Sequence, residues 1–193
     1  MLFRSGAYLM HKLADYKHDV SAFFYGDGAG AAVIGASDKP GFVSSSIKAD
    51  GFYHKHWGIY SGGTYEPATV ESVEAGRTKV RLLTPFPATV NHEGWPARVR
   101  ECAANGGFEL SEIDHIIFTQ VNLNSIKLVM ENLGLPVEKA HYVMDKWGYM
   151  GSACLPIAFH DAIKLGKITS GMRVVFCGSG VGYNQAATCF IMP

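Results

Sequence analysis

The chain has no excess of either charge: its 193 residues carry 17 Lys+Arg against 17 Asp+Glu. No overall field is therefore available to steer nucleic acid or an anionic membrane. Paired cysteine spacing is missing too. Cys102, Cys154, Cys177 and Cys189 form no C-x-x-C motif and fall inside apolar or helical stretches, which argues against a zinc site or a disulfide framework and for a reducing, cytoplasmic setting. No apolar run approaches the roughly 20 residues a membrane-spanning helix needs. Met1-Leu2-Phe3-Arg4 does not open a charged leader backed by an apolar stretch. Internal repeats and low-complexity linkers are also wanting. What is present is 48% hydrophobic and 18% charged residues, the composition of a well-buried globular chain long enough for one domain, or one domain and a piece of another.

Strand and helix signals alternate along most of it. Residues 1–18 place Leu2, Tyr8, Leu9 and Leu13 at mixed spacings of helical character. Ser21 to Tyr25 and Ala31 to Gly35 read as strands joined by Gly26-Asp27-Gly28-Ala29-Gly30. After the turn Lys39-Pro40-Gly41, Phe42 to Gly51 reads as another strand. Residues 52–78, rich in Gly, Tyr and His, read as an irregular surface loop. Pro87 to Cys102 carries a helical stripe of Val90, Trp95, Val99 and Cys102, stopped by Asn105-Gly106-Gly107. Then come a strand at Ile113 to Phe118, a helix from Asn124 to Leu133 ended by Gly134, and a strand at Ala140 to Met144. A helix from Ser152 to Leu165 ended by Gly166, and strands at Arg173 to Cys177 and Ala186 to Ile191, complete the pattern. This alternation predicts a layered α/β fold whose last two strands form a hairpin through Gly178-Ser179-Gly180-Val181-Gly182.

Asp145 to Pro156 reads as a turn leading into the mouth of a buried helix. Gly148 and Gly151 permit tight backbone, and Gly151-Ser152-Ala153-Cys154 carries nothing bulky to keep a ligand or another segment from the helix N–H groups. Cys154 has the setting of a nucleophile, because a helix N-terminus lowers a thiol pKa, and also that of a small packed residue. Gly26, Gly28 and Gly30 suggest a phosphate cradle. A dinucleotide fingerprint needs a helix straight after the glycines, however, and here a short apolar run ends at Gly35. His54 and His56 beside Trp57 lack a third ligand at metal spacing, so no metal is expected. His92, His115, His141 and His160 fall on helices or at strand starts and read as structural.

Five motifs then stand in register: Tyr25-Gly26-Asp27-Gly28-Ala29-Gly30-Ala31-Ala32-Val33, Lys48-Ala49-Asp50-Gly51, Thr119-Gln120-Val121-Asn122-Leu123, Gly148 to Pro156, and Gly178 to Gly182. In order and spacing they resemble the back half of β-ketoacyl-acyl-carrier-protein synthase III. That family has the thiolase-like fold, two similar lobes each built on a five-stranded sheet. The resemblance implies that residues 1–38 are the tail of a first lobe and residues 39–193 a second α/β lobe with a five-stranded mixed sheet. It implies an acyltransferase of fatty-acid or related biosynthesis, in which a Cys takes an acyl group from coenzyme A and a malonyl carrier protein is decarboxylated and condensed onto it. Coenzyme A or phosphopantetheine thioesters would be substrates, with no bound cofactor. The implied partners are the N-terminal lobe or a partner subunit, an acyl carrier protein met by basic side chains such as Arg98, Arg100, Lys127 and Lys164, and further copies in a dimer or other homo- or hetero-oligomer.

By the same resemblance, Thr119 stands at the family's His, Tyr149 at its Asn, and Val181 in its last oxyanion loop, with Asn122, Gly180 and Gly182 at substrate-binding positions. The family's His and Asn meet the enolate left by decarboxylation, and backbone N–H groups of the Cys and the loop meet the acyl oxyanion. Here Thr-Gln-Val-Asn replaces His-Gln-Ala-Asn and Gly-Tyr-Met-Gly replaces Gly-Asn-Thr-Ser. Thr and Tyr can donate hydrogen bonds, but neither titrates near neutral pH. Losing one oxyanion donor costs on the order of 100- to 1,000-fold in rate. Acyl transfer is therefore expected ahead of condensation, with a non-catalytic partner subunit or a truncated synthase as the alternative. The family's nucleophilic Cys belongs to the first lobe.

Overall fold

The computed structural model describes residues 2–87 and 89–193. Expectations for Met1 and for Ala88, inside the predicted helix from Pro87, lie outside them. The chain begins as strand β1 (Leu2–Tyr8), makes two short 3-10 turns at Met10–Lys12 and Val20–Phe24, and returns as β2 (Gly28–Ile34). β1 and β2 pair antiparallel from Leu2↔Ile34 to Tyr8↔Gly28, as a two-stranded sheet of their own. Two expectations are corrected here. Residues 2–8 are extended and not helical, because pairing with β2 outweighs a weak local spacing signal. Ser21 to Phe24 lie in a 3-10 turn and not a strand, since the Asp19 carboxylate accepts the Ser21 N–H at 2.8 Å and caps it, and only Tyr25 is extended, in a lone bridge to Tyr149.

β3 (Phe42–Tyr53) follows, then an irregular segment closed by the short ladder of β4 (Trp57–Gly58) with β5 (Arg81–Leu82). Within that segment sits one turn of helix, α1 (Val70–Glu74), started by a reciprocal Thr69–Ser72 capping box. Helix α2 (Thr89–Gly106) leads to β6 (His115–Phe118) and then α3 (Leu123–Leu133), which ends at Gly134 with φ +70°. The predicted strand from Ala140 divides into β7 (Ala140–His141) and a turn of helix, α4 (Met144–Trp147). A 3-10 turn at Gly151–Ala153 opens α5 (Cys154–Lys164). The chain finishes with β8 (Arg173–Gly180) and β9 (Gly182–Ile191).

The main sheet runs β3-β9-β8-β6-β7. β3, β9 and β8 pair antiparallel, whereas β6 lies parallel to both β8 and β7, so the sheet is mixed. One face carries Cys177, Ala187 and Cys189 against Trp95, Val99 and Cys102 of α2 and Ile126, Val129 and Met130 of α3. The other face carries Ile117 and Val174 against Cys154, Ala158 and Ala162 of α5. α5 is also covered from behind by β2. The glycines of the 26–30 motif make that approach feasible: a Cβ on Gly30 would fall 2.5 Å from Pro156 Cγ, and one on Gly28 would fall 2.8 Å from Ile157 Cδ1. They serve close packing between sheet and helix, which replaces the phosphate-cradle reading.

Helix α5 covers only part of its side of the sheet. Its Phe159 ring meets Phe176 of β8 at 5.1 Å, and the row continues through Phe190 to Phe42. Phe42 is 55% and Ile47 74% exposed on this same side of β3. The β3–β9 half is thus a bare apolar shelf beside α5.

Candidate active site

Three of the five sequence motifs converge where β6 and β8 end and α5 begins. Thr119, the residue after β6, donates its N–H to the Cys177 carbonyl at 3.0 Å, and its hydroxyl accepts the Ser179 N–H at 3.2 Å. Gly178 lets them meet: a Cβ there would stand 2.8 Å from Thr119 Oγ1 and 3.6 Å from Leu155 Cδ1 of α5. Ser179 extends the contact, its hydroxyl donating to Asn91 Oδ1 at 2.9 Å and accepting from Trp95 Nε1 at 3.0 Å. Gln185 Nε2 closes the array on the Val90 carbonyl at 2.9 Å. Thr119 is only 5% exposed. Its hydroxyl oxygen is the acceptor that fixes the β8–β9 hairpin.

Gln120 beside it is a buried pin. Its side-chain amide donates to the Phe118 and His141 carbonyls at 2.8 and 3.3 Å and accepts the Val143 N–H at 2.8 Å. Its main-chain N–H reaches Cys154 Sγ at 3.4 Å. Cys154 itself is fully buried, and burial pushes its thiol up to about 11. Desolvation therefore overrides the helix N-terminus, and the nucleophile reading of Cys154 is replaced by the packed-residue one.

Tyr149 is turned into an aromatic cluster. Its ring stacks on Tyr25 at 6.1 Å and lies 6.0 Å from Tyr8, 5.9 Å from Phe24 and 6.3 Å from Trp57. The main chain is tied down as well: Tyr149 N–H donates to the Phe24 carbonyl at 2.8 Å, and its carbonyl accepts the Gly26 N–H at 2.9 Å. Burial holds its phenol well above the ordinary tyrosine range. Burial likewise pushes the neighbouring Tyr8 phenol up to about 12.

The other candidates lie apart from this junction or at its rim. Asn122 is exposed and caps α3, its side chain accepting the Ser125 N–H at 3.2 Å. Val181 is 48% exposed at the hairpin tip between Gly180 and Gly182. Gly182 has φ +90°, and Tyr183 follows at φ +74°, a left-handed conformation uncommon for a non-glycine residue. The Tyr183 ring is held edge-on by Tyr53 at 5.6 Å and lies under Lys48 Nζ at 5.0 Å. Of the basic side chains proposed for docking, Arg98 pairs with Glu101 and with Ser46 Oγ, and Arg100 donates to the Asn132 carbonyl at 2.7 Å. Those two are engaged in holding α2, while Lys127 and Lys164 are exposed.

The sequence reading did not mark Ser179, Asn91, Trp95 and Gln185 as one group. One local signal was present, the glycine at Gly94 inside α2: a Cβ there would land 2.0 Å from Gln185 Oε1. Among the described residues no group of three His, Cys, Asp or Glu side chains is placed to hold a metal ion. None of the helices among them is long and apolar enough to cross a membrane.

This layered α/β lobe is of the thiolase-like class. Crystal structures of 3-oxoacyl-(acyl carrier protein) synthase III share its fold: that of Pseudomonas aeruginosa superposes with a TM-score of 0.84 at 20% identity over 99% of this chain and 57% of its own. That of Aquifex aeolicus gives 0.83 at 23% identity over 98% and 57%. Models of the 3-oxoacyl-[acyl-carrier-protein] synthase III family match residues 5–51 and, for its C-terminal part, residues 103–191. The chain belongs to the synthase III-like family. The curated synthase III of Syntrophomonas wolfei is 31% identical over 92% of this chain, and that of Clostridioides difficile 29% over 95%. The chain spans about half the length of these relatives, 54% and 56%.

Proposed function

We propose that the chain is the C-terminal part of a 3-oxoacyl-acyl-carrier-protein synthase III-like acyltransferase, acting with an N-terminal lobe that brings the nucleophilic Cys. Residues 1–38 would belong to that first lobe and residues 39–193 to the second. The observation that carries this reading is the junction of the Thr119-Gln120-Val121-Asn122, Gly148–Pro156 and Gly178–Gly182 segments at one end of the sheet, with the hairpin held by Thr119 and Ser179. Coenzyme A or phosphopantetheine thioesters are the proposed substrates, acyl carrier protein the proposed donor of the extending unit, and the cytoplasm the proposed location.

The chemistry this half offers is backbone and packing, not acid–base. Val181, exposed at the hairpin tip, and Gly182, buried beside it, are the proposed oxyanion donors through their N–H groups, which act whatever the side chain. Thr119 positions that hairpin. Tyr149 walls the site, with its phenol neutral across the physiological range. Without an imidazole and an amide at these two positions, acyl transfer is favoured over decarboxylative condensation.

The test is reconstitution with the N-terminal lobe of the Syntrophomonas wolfei synthase III, followed by two assays: acylation from an acyl-coenzyme A, and condensation with a malonyl carrier protein. The expected result is a complex that acylates at the partner's Cys and condenses at least 100-fold more slowly than the intact relative, by the cost of lost oxyanion donors. A complex that forms but accepts no acyl group would favour the non-catalytic subunit. No complex at all would remove the half-synthase reading.

A further inference from the structure

The first turn of α2 reaches both strands of the β8–β9 hairpin just below its tip. Asn91 Oδ1 lies 2.9 Å from the Ser179 hydroxyl of β8 and 3.4 Å from Gln185 Nε2 of β9. Ser179 and Gln185 are partners across the ladder, one pair below Gly180 and Asn184. A single side-chain oxygen therefore spans the hairpin, and the Val90 carbonyl beside it takes Gln185 Nε2 at 2.9 Å.

The hydrogen positions follow from what each group can do. An indole N–H only donates, so the Ser179 oxygen accepts from Trp95 Nε1 at 3.0 Å and its own hydrogen goes to Asn91. Gln185 is 2% exposed and its Oε1 meets no donor, so its hold on α2 runs through Nε2 alone. The platform under Asn91 is firm. Trp95 is fully buried with its ring stacked on Phe118 at 5.3 Å. His92 Nε2 lies 3.0 Å from the Ser125 hydroxyl in the first turn of α3, the turn that Asn122 caps.

The tip needs such a hold. Past Val181 the chain passes through φ +90° at Gly182 and φ +74° at Tyr183, and a non-glycine residue keeps a left-handed conformation only where its surroundings impose it. The ladder to β3 is interrupted alongside, between Ala49 and Tyr53. The tip's own tie, Asn184 Nδ2 to the Val181 carbonyl at 3.0 Å, lies within it and cannot set its angle to the sheet. Thr119 reaches only β8, through the Ser179 N–H. Among the described residues, Asn91 is the side chain outside the sheet that meets both strands. We propose that Asn91 is a positioning residue for the hairpin, aiming the Val181 and Gly182 N–H groups. The catalytic meaning of that aim rests on the proposed function; the aim itself does not.

The test uses the full chain, read by amide exchange and amide NMR shifts. In Asn91→Leu, protection of the Ser179 amide should fall about fivefold or more, the loss of roughly one hydrogen bond. The Val181, Gly182 and Tyr183 resonances should move with it, while amides of β6 and α5 stay as they are. Asn91→Asp offers an oxygen to the same two donors and should restore the parent values. Gln185→Met removes one of those donors and leaves no buried N–H unpaired, so it should move the same three resonances even where Asn91→Leu disturbs α2. In the reconstituted complex, Asn91→Leu should slow acylation roughly 10- to 100-fold with KM for the acyl-coenzyme A unchanged, the mark of a donor misplaced in the transition state. Unchanged hairpin resonances in Asn91→Leu and Gln185→Met overturn the proposal. So does an Asn91→Asp chain that behaves like Asn91→Leu, or a loss of protection spread evenly into β6 and α5. A hairpin that moves without slowing acylation overturns its catalytic meaning. A complex that fails to form, or takes no acyl group, removes the proposed function and leaves the result on the isolated chain standing.

Discussion

Thr119 shows how a side chain at a motif position can change its work without leaving its place. Its hydroxyl accepts the half-buried Ser179 N–H, and a methyl in place of that oxygen would strand the donor. A buried donor left unpaired costs about 1–3 kcal/mol. Thr119→Val should therefore lower stability by that amount and Thr119→Ser by clearly less, read from urea midpoints at constant m-value. Equal losses in the two variants would mean that the methyl packing, not the hydroxyl, is what counts. His115 offers a second residue-level test, with a sign that follows from burial. Its folded pKa is lowered chiefly by desolvation, so the unfolded chain takes the proton first as pH falls below about 6.5. Stability is then lost progressively from there down to the folded value, and no such penalty exists above it. His115→Leu should gain stability over the parent at pH 5.5 and gain less at pH 7.5, by thermal or urea unfolding. Such assignments were only partly legible in the sequence. That residue 119 falls within a motif could be read from the sequence, but its acceptor role depends on Ser179, 60 residues away.

At the scale of elements, sequence pattern served well where a segment's neighbours are local and poorly where they are distant. α3 was legible to within a residue, because Asn122 caps it, Gly134 ends it, and its apolar stripe is regular. β1 was not, since its extended form is set by the β2 ladder beyond two intervening turns. The sequence pattern places the whole 178–182 stretch in the hairpin connection, yet Gly178 and Gly180 lie within β8 and only the tip around Val181 turns. There the glycine answers to a neighbour, the Thr119 hydroxyl, and not to a turn. Gly30 makes the same point between layers and can be tested. Gly30→Ala would bring a methyl to 2.5 Å from the Pro156 ring at the first turn of α5. A proline ring cannot swing aside, so β2 and α5 must separate. Overpacking of this kind costs about 1–3 kcal/mol. The expected outcome is a drop in the unfolding midpoint together with faster hydrogen exchange in β2 and the start of α5. Gly35→Ala, with open space around its Cβ, is the control that should change neither.

For the whole molecule, the decisive quantity is surface. The chain exposes 11010 Å² at 20.9 kDa, whereas a compact monomer of that mass exposes roughly 9,000 Å². The excess of about 2,000 Å² lies on one chain, well above the roughly 800 Å² each partner buries in a standard interface and comparable to one side of a large one. It includes the apolar shelf beside α5, where Phe42 and Ile47 are 55% and 74% exposed on the face of β3–β9 opposite α2, against which none of the described helices packs closely. Apolar surface of this kind associates when nothing caps it. Sedimentation of the isolated chain should therefore show concentration-dependent self-association. Ile47→Glu places a charge on the shelf without touching the α2 side, where Ser44 and Ser46 hold Cys102 and Glu101. It should shift the population toward monomer and leave the unfolding free energy within about 0.5 kcal/mol of the parent, as for exposed substitutions generally. The same variant should weaken binding of a synthase III N-terminal lobe if that lobe covers this shelf. A parent chain that sediments as a monomer at all concentrations would show that the shelf is tolerated in water, and would take away the physical reason for a partner there.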